Sequence, residues 1–118
     1  MLKSVVLDDD ELSRALLKNL IEKTNNIELI AEYSNPKEAL KELESLNCDV
    51  IFLDIEMPEM NGLEFIEKSK NIPQVVITRS KSEYASEAFN YDVTDYLVKP
   101  FTKERFDKSI ERINEINE

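Results

Sequence analysis

Short apolar runs alternate along the chain with longer segments in which apolar residues recur every three or four positions. The short runs have the composition of strands, and the longer segments have the period of amphipathic helices. Five strand–helix pairs in this order are typical of an α/β fold built around a parallel sheet. The predicted strands are residues 3–7, 27–33, 50–53, 75–78 and 95–98. The predicted helices are residues 12–23, a segment that starts at 35–36, and residues 63–70, 82–90 and 102–117.

The predicted helices each carry one apolar face. In the first helix Leu12, Leu16 and Leu20 recur every four residues and predict a buried stripe. The second helix has a strong start, because Asn35 can cap free backbone N–H groups and Pro36 fills a position that needs no donor. The predicted inner faces of the second and last helices are Ala39, Leu40, Leu43 and Leu46, and Phe106, Ile110 and Ile113 with Ile116 or Asn117.

The third apolar run contains no polar position, which predicts a strand covered on both faces in the middle of the sheet. This run nevertheless stops on a charge, Asp54, within the sequence FLDIEMPEMNG. An unpaired carboxylate at the end of a buried strand costs stability, so Asp54 is expected to have a partner. The turn that follows holds Pro58 and Gly62, the only glycine in the chain, and a positive φ is expected at that glycine.

Charged and hydroxyl side chains collect where the predicted strands end. They are Asp8, Asp9, Asp10 and Glu11 after the first strand, Asp54 after the third, Thr78, Arg79 and Ser80 at the fourth, and Lys99 after the fifth. Ligands of doubly wound sheets bind beyond the carboxyl ends of the strands, so these residues define a candidate site. Carboxylates held close together stay ionised only around a hard cation or an ammonium group, and an all-oxygen pocket suits Mg²⁺.

Simpler interpretations of the same residues remain open at this point. The acidic segment 8–11 is also what a helix dipole favours at an exposed helix start. Lys99 taken alone is an ordinary surface charge at a strand end. Asp54 is harder to explain in this way, because an unpaired carboxylate at the end of a buried strand indicates a partner, and together with Asp54 on the same edge Lys99 also favours a functional site.

The composition narrows the class of protein. The 118 residues, of which 42% are apolar, are enough for one domain with its own core. The 25 acidic residues outnumber the 15 basic ones, and the basic residues do not cluster in the sequence. We therefore expect no direct binding to nucleic acid or to a membrane. The single Cys48 excludes an internal disulfide, and the lack of a signal-like leader predicts a cytoplasmic location. The absence of histidine removes the usual zinc ligand and the usual neutral-pH base.

These residues resemble the receiver domain of two-component response regulators. The resemblance rests on the acidic pair Asp8-Asp9, on Asp54 in LDIEMPEMNG and on the KPF sequence at 99–101, in the order of that family. The segments SEYASEAF and DYLVKPFTKERF resemble most closely the receivers that precede a LytTR-type DNA-binding domain. The resemblance implies a flavodoxin-like, doubly wound (βα)5 sheet with strand order 2-1-3-4-5. It also implies a receiver over residues 1–118, a linker that starts after about residue 114, and an output domain outside this chain.

The resemblance further implies a function in phosphoryl transfer. A sensor histidine kinase would donate a phosphoryl group to Asp54, with Mg²⁺ held by Asp9, Asp54 and the backbone carbonyl of Glu56. Asp8 would assist through a bound water, and the Lys99 ammonium would neutralise the transferred group. In this family the Lys-Pro peptide bond is cis. Such a protein catalyses only its own phosphorylation and dephosphorylation, so it is not expected to be an enzyme with an external substrate.

One position departs from the family pattern. The family's switch serine or threonine falls on Arg79, while Tyr96 occupies the position of the switch aromatic. A local shift would allow Thr78 or Ser80 to supply the hydroxyl, and Thr78 would need a β-bulge because neighbouring strand residues point to opposite faces. Alternatively, Arg79 itself faces Asp54 and binds either the phosphoryl group or the unmodified carboxylate.

Two functions therefore remain open. The first is a phosphorylation-driven switch that changes an output or dimerisation face, with a homodimer through the last helices as a further hypothesis. The second is a degenerate receiver that acts as a phosphorylation-independent interaction module because Arg79 neutralises the pocket. A haloacid-dehalogenase-type phosphatase fits poorly, because such enzymes carry an aspartate where this chain has Glu56 and place the nucleophile on the first strand.

Overall fold

The computed structural model describes residues 1–69, 73–80 and 93–117. Within these residues it contains five strands and four helices. In chain order they are β1 Leu2–Leu7, α1 Glu11–Glu22, β2 Ile27–Tyr33, α2 Pro36–Leu46, β3 Val50–Asp54, α3 Gly62–Lys68, β4 Gln74–Arg79, β5 Asp95–Val98 and α4 Lys103–Asn117. The helix predicted at 82–90 lies outside the described residues.

All five strands are parallel and their order in the sheet is β2-β1-β3-β4-β5, which confirms the predicted order. The central strand β3 is buried along its whole length, as its lack of polar positions predicts. Its last residue, Asp54, pairs with Thr78 of β4. The carboxyl ends of β1, β3, β4 and β5 therefore lie along one edge of the sheet.

Two apolar layers cover the sheet because successive strand residues point to opposite faces. On one side, which we call the α2/α3 side, Ile51, Leu53 and Ile77 pack with residues of α2 and α3. On the other, the α1/α4 side, Phe52 packs against α1 and α4 and stacks on Phe106 with ring centroids 5.6 Å apart. This double coverage gives β3 its continuous apolar sequence.

The predicted buried face of α1 is wrong by part of a turn. Leu12 is 80% exposed, whereas the helix buries Leu17, Leu20 and Ile21. A four-residue step overshoots one helical turn by about 40°, so a stripe of such steps drifts around the helix. Leu20 is buried and Leu16 is half-buried against the core of the α1/α4 side, so only Leu12, at the start of that stripe, faces away from the core.

The other helices match their predicted faces more closely. Asn35 caps α2 by accepting a hydrogen bond of 2.8 Å from the Lys37 N–H, and the α2 residues predicted as its inner face are buried or half-buried. In α4 the predicted face is buried up to Ile113, but Ile116 is 62% exposed and does not belong to it. None of the helices in the described part of the chain has the length and apolar character needed to cross a bilayer.

Gly62 does not have the predicted positive φ. Its lack of a side chain serves a close approach instead. A Cβ at this position would lie 2.8 Å from the Ile55 Cα and 2.9 Å from the Asp54 carbonyl oxygen. The first residue of α3 thus packs directly against the backbone that follows β3.

Replacing Gly62 with alanine is expected to destabilise the protein. Alanine normally favours a helix over glycine by about 1 kcal/mol, but here the obstructing atoms are backbone and cannot rotate away. We therefore expect Gly62→Ala to lower the free energy of unfolding by about 1–3 kcal/mol in urea titrations. Lys108→Ala on the exposed side of α4 should change it by less than about 0.5 kcal/mol. An unchanged or raised stability of Gly62→Ala would contradict this account of the contact.

Candidate functional site

The turn between β1 and α1 brings three consecutive acidic residues to the edge of the sheet. Asp8 is fully buried and its Oδ1 accepts a hydrogen bond of 2.8 Å from the Asp10 N–H, while Asp9 is exposed. Asp10 caps α1, accepting from the Leu12 N–H and from the Ser13 hydroxyl. Each acid thus has a separate position, and Asp9 is the one that faces outward.

Asp54 ends β3 at the same edge and is only 2% exposed. Its Oδ1 accepts a hydrogen bond of 2.9 Å from the Glu56 N–H, which fixes the orientation of the carboxylate. One carboxylate oxygen from each of Asp8, Asp9 and Asp54 lies within 4.8 Å of the other two. The three residues therefore form a compact set of oxygen donors.

The donor set fits Mg²⁺. It consists of carboxylate oxygens alone, which are the ligands that hard divalent cations prefer. In addition, the Asp8 Oδ2 is buried and, apart from the Lys99 ammonium, has no hydrogen-bond partner among the described residues. A buried carboxylate oxygen in this state is stabilised by a nearby positive charge.

Lys99 supplies one such charge from β5. It follows that strand directly, and its peptide bond to Pro100 is cis. Its Nζ lies 3.1 Å from Asp8 Oδ2 and 3.6 Å from Asp54 Oδ2, so one ammonium group contacts both buried acids. The structure thus brings together Asp8, Asp9, Asp54 and Lys99, four residues that the sequence predicts at strand ends.

The electrostatics of the site follow from burial. Burial, together with the charge of Asp8, raises the pKa of Asp54 to about 8, against the opposing effects of the Glu56 N–H and Lys99. Burial opposes ionisation of Lys99 as well, yet the charges of Asp54 and Asp8 raise the pKa of that ammonium above its usual value. Lys99 is therefore charged at neutral pH, whereas ionisation of Asp54 needs further positive charge in the site.

The end of β4 runs in regular register. Asp54 pairs with Thr78, and Arg79 pairs with Val98 of β5, with no interruption in either ladder. The bulge that Thr78 would need in order to supply the switch hydroxyl is therefore absent from these strands. The Thr78 side chain is fully buried, and its hydroxyl has no hydrogen-bond partner among the described residues.

Arg79 lies on the α2/α3 side of the sheet together with Tyr96. Its side chain is largely buried, and the central carbon of its guanidinium is 5.8 Å from the centroid of the Tyr96 ring. This is a cation–π contact. Burial raises the pKa of the Tyr96 hydroxyl, while the Arg79 charge lowers it. The two residues predicted as the switch pair are thus neighbours, although one of them is a cation in place of a hydroxyl.

Two side-chain contacts near the site are missed by the sequence analysis. The first joins the loop after β3 to the end of β4: Ser80 donates to the Glu56 carboxylate from its N–H at 3.2 Å and from its hydroxyl at 2.8 Å. The family resemblance implies a role only for the backbone carbonyl of Glu56. Its side-chain role carries no periodic signal, because the two residues are 24 positions apart.

The second contact joins β5 to α4. Asp95 is buried and accepts two hydrogen bonds of 2.8 Å from Arg105, one from the Ser109 hydroxyl and one of 2.7 Å from Arg112. Burial alone would raise the pKa of Asp95, but these donors lower it. Arg105 also donates to the Tyr96 carbonyl at 2.8 Å, so the cluster fixes the strand that leads to the site.

The chain is similar to known proteins over nearly its whole length. The family model described as response regulator receiver domain matches residues 5–111. The sensory transduction protein LytT of Bacillus cereus is 39% identical over 115 residues, which cover 95% of this chain and 47% of that protein. The transcriptional regulatory protein BtsR of Salmonella typhi is 35% identical over 117 residues, covering 98% and 49%. The chain therefore spans about half the length of these curated relatives.

Solved structures show the same similarity. The response regulatory domain of mrkE from Klebsiella pneumoniae has a TM-score of 0.86 and 26% identity, covering 98% of this chain and 97% of that one. The response regulator domain of Thermotoga maritima CheB has a TM-score of 0.83 and 25% identity, covering 97% of each chain. The likeness extends over nearly the whole length of both domains.

The burial of Asp54 predicts a pH-dependent stability in the absence of metal. Between the ordinary pKa of 3.8 and about 8, the folded protein binds a proton at Asp54 that the unfolded chain releases. The free energy of unfolding therefore falls as the pH rises through this window. In EDTA at pH 8, Asp54→Asn should raise the melting temperature by about 4 °C, the equivalent of about 1 kcal/mol, and the gain should shrink towards pH 4.

This measurement is best made by calorimetry at pH 4.5, 6 and 8 on both proteins. Glu111→Gln on the exposed side of α4 is the matched control, and its melting temperature should differ little from wild type at every pH. An equal gain for Asp54→Asn at all three values would show that ionisation of the buried carboxyl is not its cause.

The Asp95 cluster predicts unequal contributions from its two arginines. Arg105 makes two bonds to the buried carboxylate and one to the Tyr96 carbonyl, whereas Arg112 makes a single bond and is more exposed. We expect Arg105→Leu to lower the free energy of unfolding by about 2 kcal/mol, because an incompletely paired buried charge is left behind. Arg112→Leu should cost about 0.5 kcal/mol or less in the same urea titration. Equal losses would contradict this assignment.

Proposed function

The chain belongs to the response regulator receiver domain family, and on this premise we propose that it accepts a phosphoryl group on Asp54 from the phosphohistidine of a sensor histidine kinase. The observation that carries the proposal is the meeting of Asp54, Asp8 and Asp9 with the Lys99 ammonium at one edge of the sheet. Receiver domains are not conventional enzymes. In the proposed function the protein catalyses only its own phosphorylation and dephosphorylation.

The proposed transfer is a substitution at phosphorus. An oxygen of the Asp54 carboxylate forms the new bond to phosphorus as the bond to the kinase imidazole nitrogen breaks, and that nitrogen keeps the electron pair. The Glu56 N–H holds the carboxylate in place through Oδ1. The Lys99 ammonium stands beside Oδ2 and faces the negative charge that spreads over the phosphoryl oxygens.

Asp9, Asp54 and the backbone carbonyl of Glu56 are the proposed ligands of Mg²⁺, and Asp8 acts through a bound water. The ion supplies positive charge that offsets the carboxylates and the phosphoryl oxygens. The outward position of Asp9 suits a ligand that exchanges with solvent. Asp8 is buried and in contact with the Lys99 ammonium, which suits a supporting acid behind the metal ligands.

The proposed output is a change at the face that contains Tyr96 and α4. The relatives include a protein named as a transcriptional regulator, and the chain spans about half their length. We therefore assign residues 1–118 to the receiver part of a longer regulator, with a linker from about residue 114. DNA would be bound only by a separate output domain, and phosphorylation would favour a homodimer through the last helices.

A second candidate is a receiver that acts as a fixed interaction module. Arg79 favours it, because a buried cation stands at the position where the family has its switch hydroxyl, and it contacts Tyr96. In this case the Tyr96 face would have one arrangement whether or not Asp54 carries a phosphoryl group. Lack of both phosphorylation and Mg²⁺ binding would favour this candidate over the first.

Phosphorylation can be tested with acetyl phosphate and Mg²⁺. The wild-type chain is expected to gain one phosphoryl group in intact-mass measurements, and EDTA should prevent the gain. Asp54→Asn should abolish it, because the amide is not a nucleophile at phosphorus. Asp9→Asn should weaken Mg²⁺ binding about tenfold or more, whereas Glu11→Gln on the exposed start of α1 should not. A phosphoryl group that persists in Asp54→Asn would assign the acceptor to another residue.

A further inference from the structure

We propose that Ser80 is the hydroxyl residue that binds the phosphoryl group on Asp54, and that Glu56 holds Ser80 in the unmodified protein. The inference rests on the proposed function of Asp54 as phosphoacceptor. It concerns which residue takes the place of the missing switch hydroxyl, and what that residue contacts before phosphorylation.

Glu56 contacts both Asp54 and Ser80. Its backbone N–H donates to Asp54 Oδ1 at 2.9 Å, and its side-chain carboxylate accepts from Ser80. The Ser80 hydroxyl is 2.8 Å from Oε1 and 3.0 Å from Oε2, and the Ser80 N–H is 3.2 Å from Oε1. A single residue thus connects the acceptor carboxylate with the end of β4, and it occupies both hydrogen-bond donors of Ser80.

The position of Ser80 relative to Asp54 follows from its contact with Glu56. Asp54 and Thr78 pair across the ladder, two residues after Phe52 and Val76, which pack on the α1/α4 side. Ser80 follows the end of β4 directly and contacts the side chain of Glu56, two residues after Asp54. Arg79, between Thr78 and Ser80, points to the opposite side and contacts Tyr96. The Glu56 contact therefore places the hydroxyl of Ser80 beside the segment that holds the Asp54 carboxylate.

Ser80 and Thr78 differ in their exposure and in their position relative to the carboxyl end of β4. Thr78 is level with Asp54 and fully buried, whereas Ser80 is exposed and lies beyond the carboxyl end of β4. A phosphoryl group bonded to Asp54 extends beyond the carboxyl ends of the strands, where the metal ligands and Lys99 lie. The hydroxyl that it meets there is that of Ser80.

The charge of a phosphoryl group on Asp54 favours a change in the hydrogen-bond partner of Ser80. A phosphoryl group brings close to two negative charges and three strong acceptor oxygens. The Glu56 carboxylate is a like charge next to it, whereas the Ser80 N–H and O–H are donors already oriented towards that region. Phosphorylation therefore transfers these two donors from Glu56 to the phosphoryl oxygens. Before phosphorylation Glu56 competes for them, so Glu56 lowers the affinity of the site for the phosphoryl group.

The test uses beryllofluoride with Mg²⁺, a tetrahedral stand-in for the phosphoryl group, titrated calorimetrically into the whole chain. Ser80→Ala is expected to weaken binding about tenfold, and Ser80→Thr, which keeps the hydroxyl, should restore it to within about threefold of wild type. Glu56→Gln should strengthen binding about threefold, because it removes the competing charge. This gain should be smaller when Ser80 is already alanine.

Thr78→Val, which removes the neighbouring hydroxyl with little change in volume, is the matched comparison. Its affinity for beryllofluoride should remain within about twofold of wild type. Wild-type affinity in Ser80→Ala, or a loss in Thr78→Val in place of Ser80→Ala, overturns the inference and leaves the proposed function standing. Absence of beryllofluoride binding by the wild-type chain overturns both.

Discussion

The contact of one ammonium group with two buried carboxylates is the constraint around which the edge of this sheet is built. Asp8 directly follows β1, Asp54 ends the neighbouring strand β3, and both are almost wholly buried. Burial and the charge of Asp8 therefore both disfavour ionisation of Asp54 and raise its pKa. Lys99 reaches both carboxylates from β5, although β4 separates that strand from β3. The lysine side chain therefore crosses the carboxyl end of β4. Under the proposed function, a change of charge at Asp54 would act through Lys99 on β5, a strand that does not carry the acceptor.

The backbone around Asp54 is arranged to keep that carboxylate in one orientation. The Glu56 N–H binds Asp54 Oδ1, and the Gly62 N–H donates to the Ile55 carbonyl at 3.1 Å, which folds the loop back over the end of β3. Gly62 permits this close return because a side chain there would collide with the Asp54 carbonyl. The single glycine of the chain thus supports the site through steric room. Without a side chain at Gly62, the loop can return close enough to β3 to keep the backbone around Asp54 in place.

The sequence predicts most of the fold and the main residues of the site, since both follow from local pattern. Strand β5 and the helix cap at Asn35 are predicted correctly because strands and helix starts depend on the types of residues that are adjacent in the sequence. Asp54 and Lys99 are found because parallel strands bring their carboxyl ends to one edge. The buried face of α1 is misjudged, since the leucine spacing at Leu12 does not show which side of the helix meets the sheet. The Glu56–Ser80 contact is missed for a related reason: it joins distant segments whose side chains meet only after the sheet has formed.

The end of β4 shows why the identity of a residue at one position does not decide the behaviour of a switch. The sequence leaves two hypotheses open: a local shift by which Thr78 or Ser80 supplies the hydroxyl, or an Arg79 side chain that itself faces Asp54. In the structure the two neighbouring residues have different partners: Arg79 contacts Tyr96, while Ser80 contacts Glu56. Because these two residues are adjacent in the chain, a movement of Ser80 towards Asp54 must also displace the backbone that carries Arg79. Under the proposed function, the Ser80 hydroxyl and the Arg79 cation would therefore be coupled through a single peptide unit, and a movement of Ser80 would reach Tyr96 through its contact with Arg79.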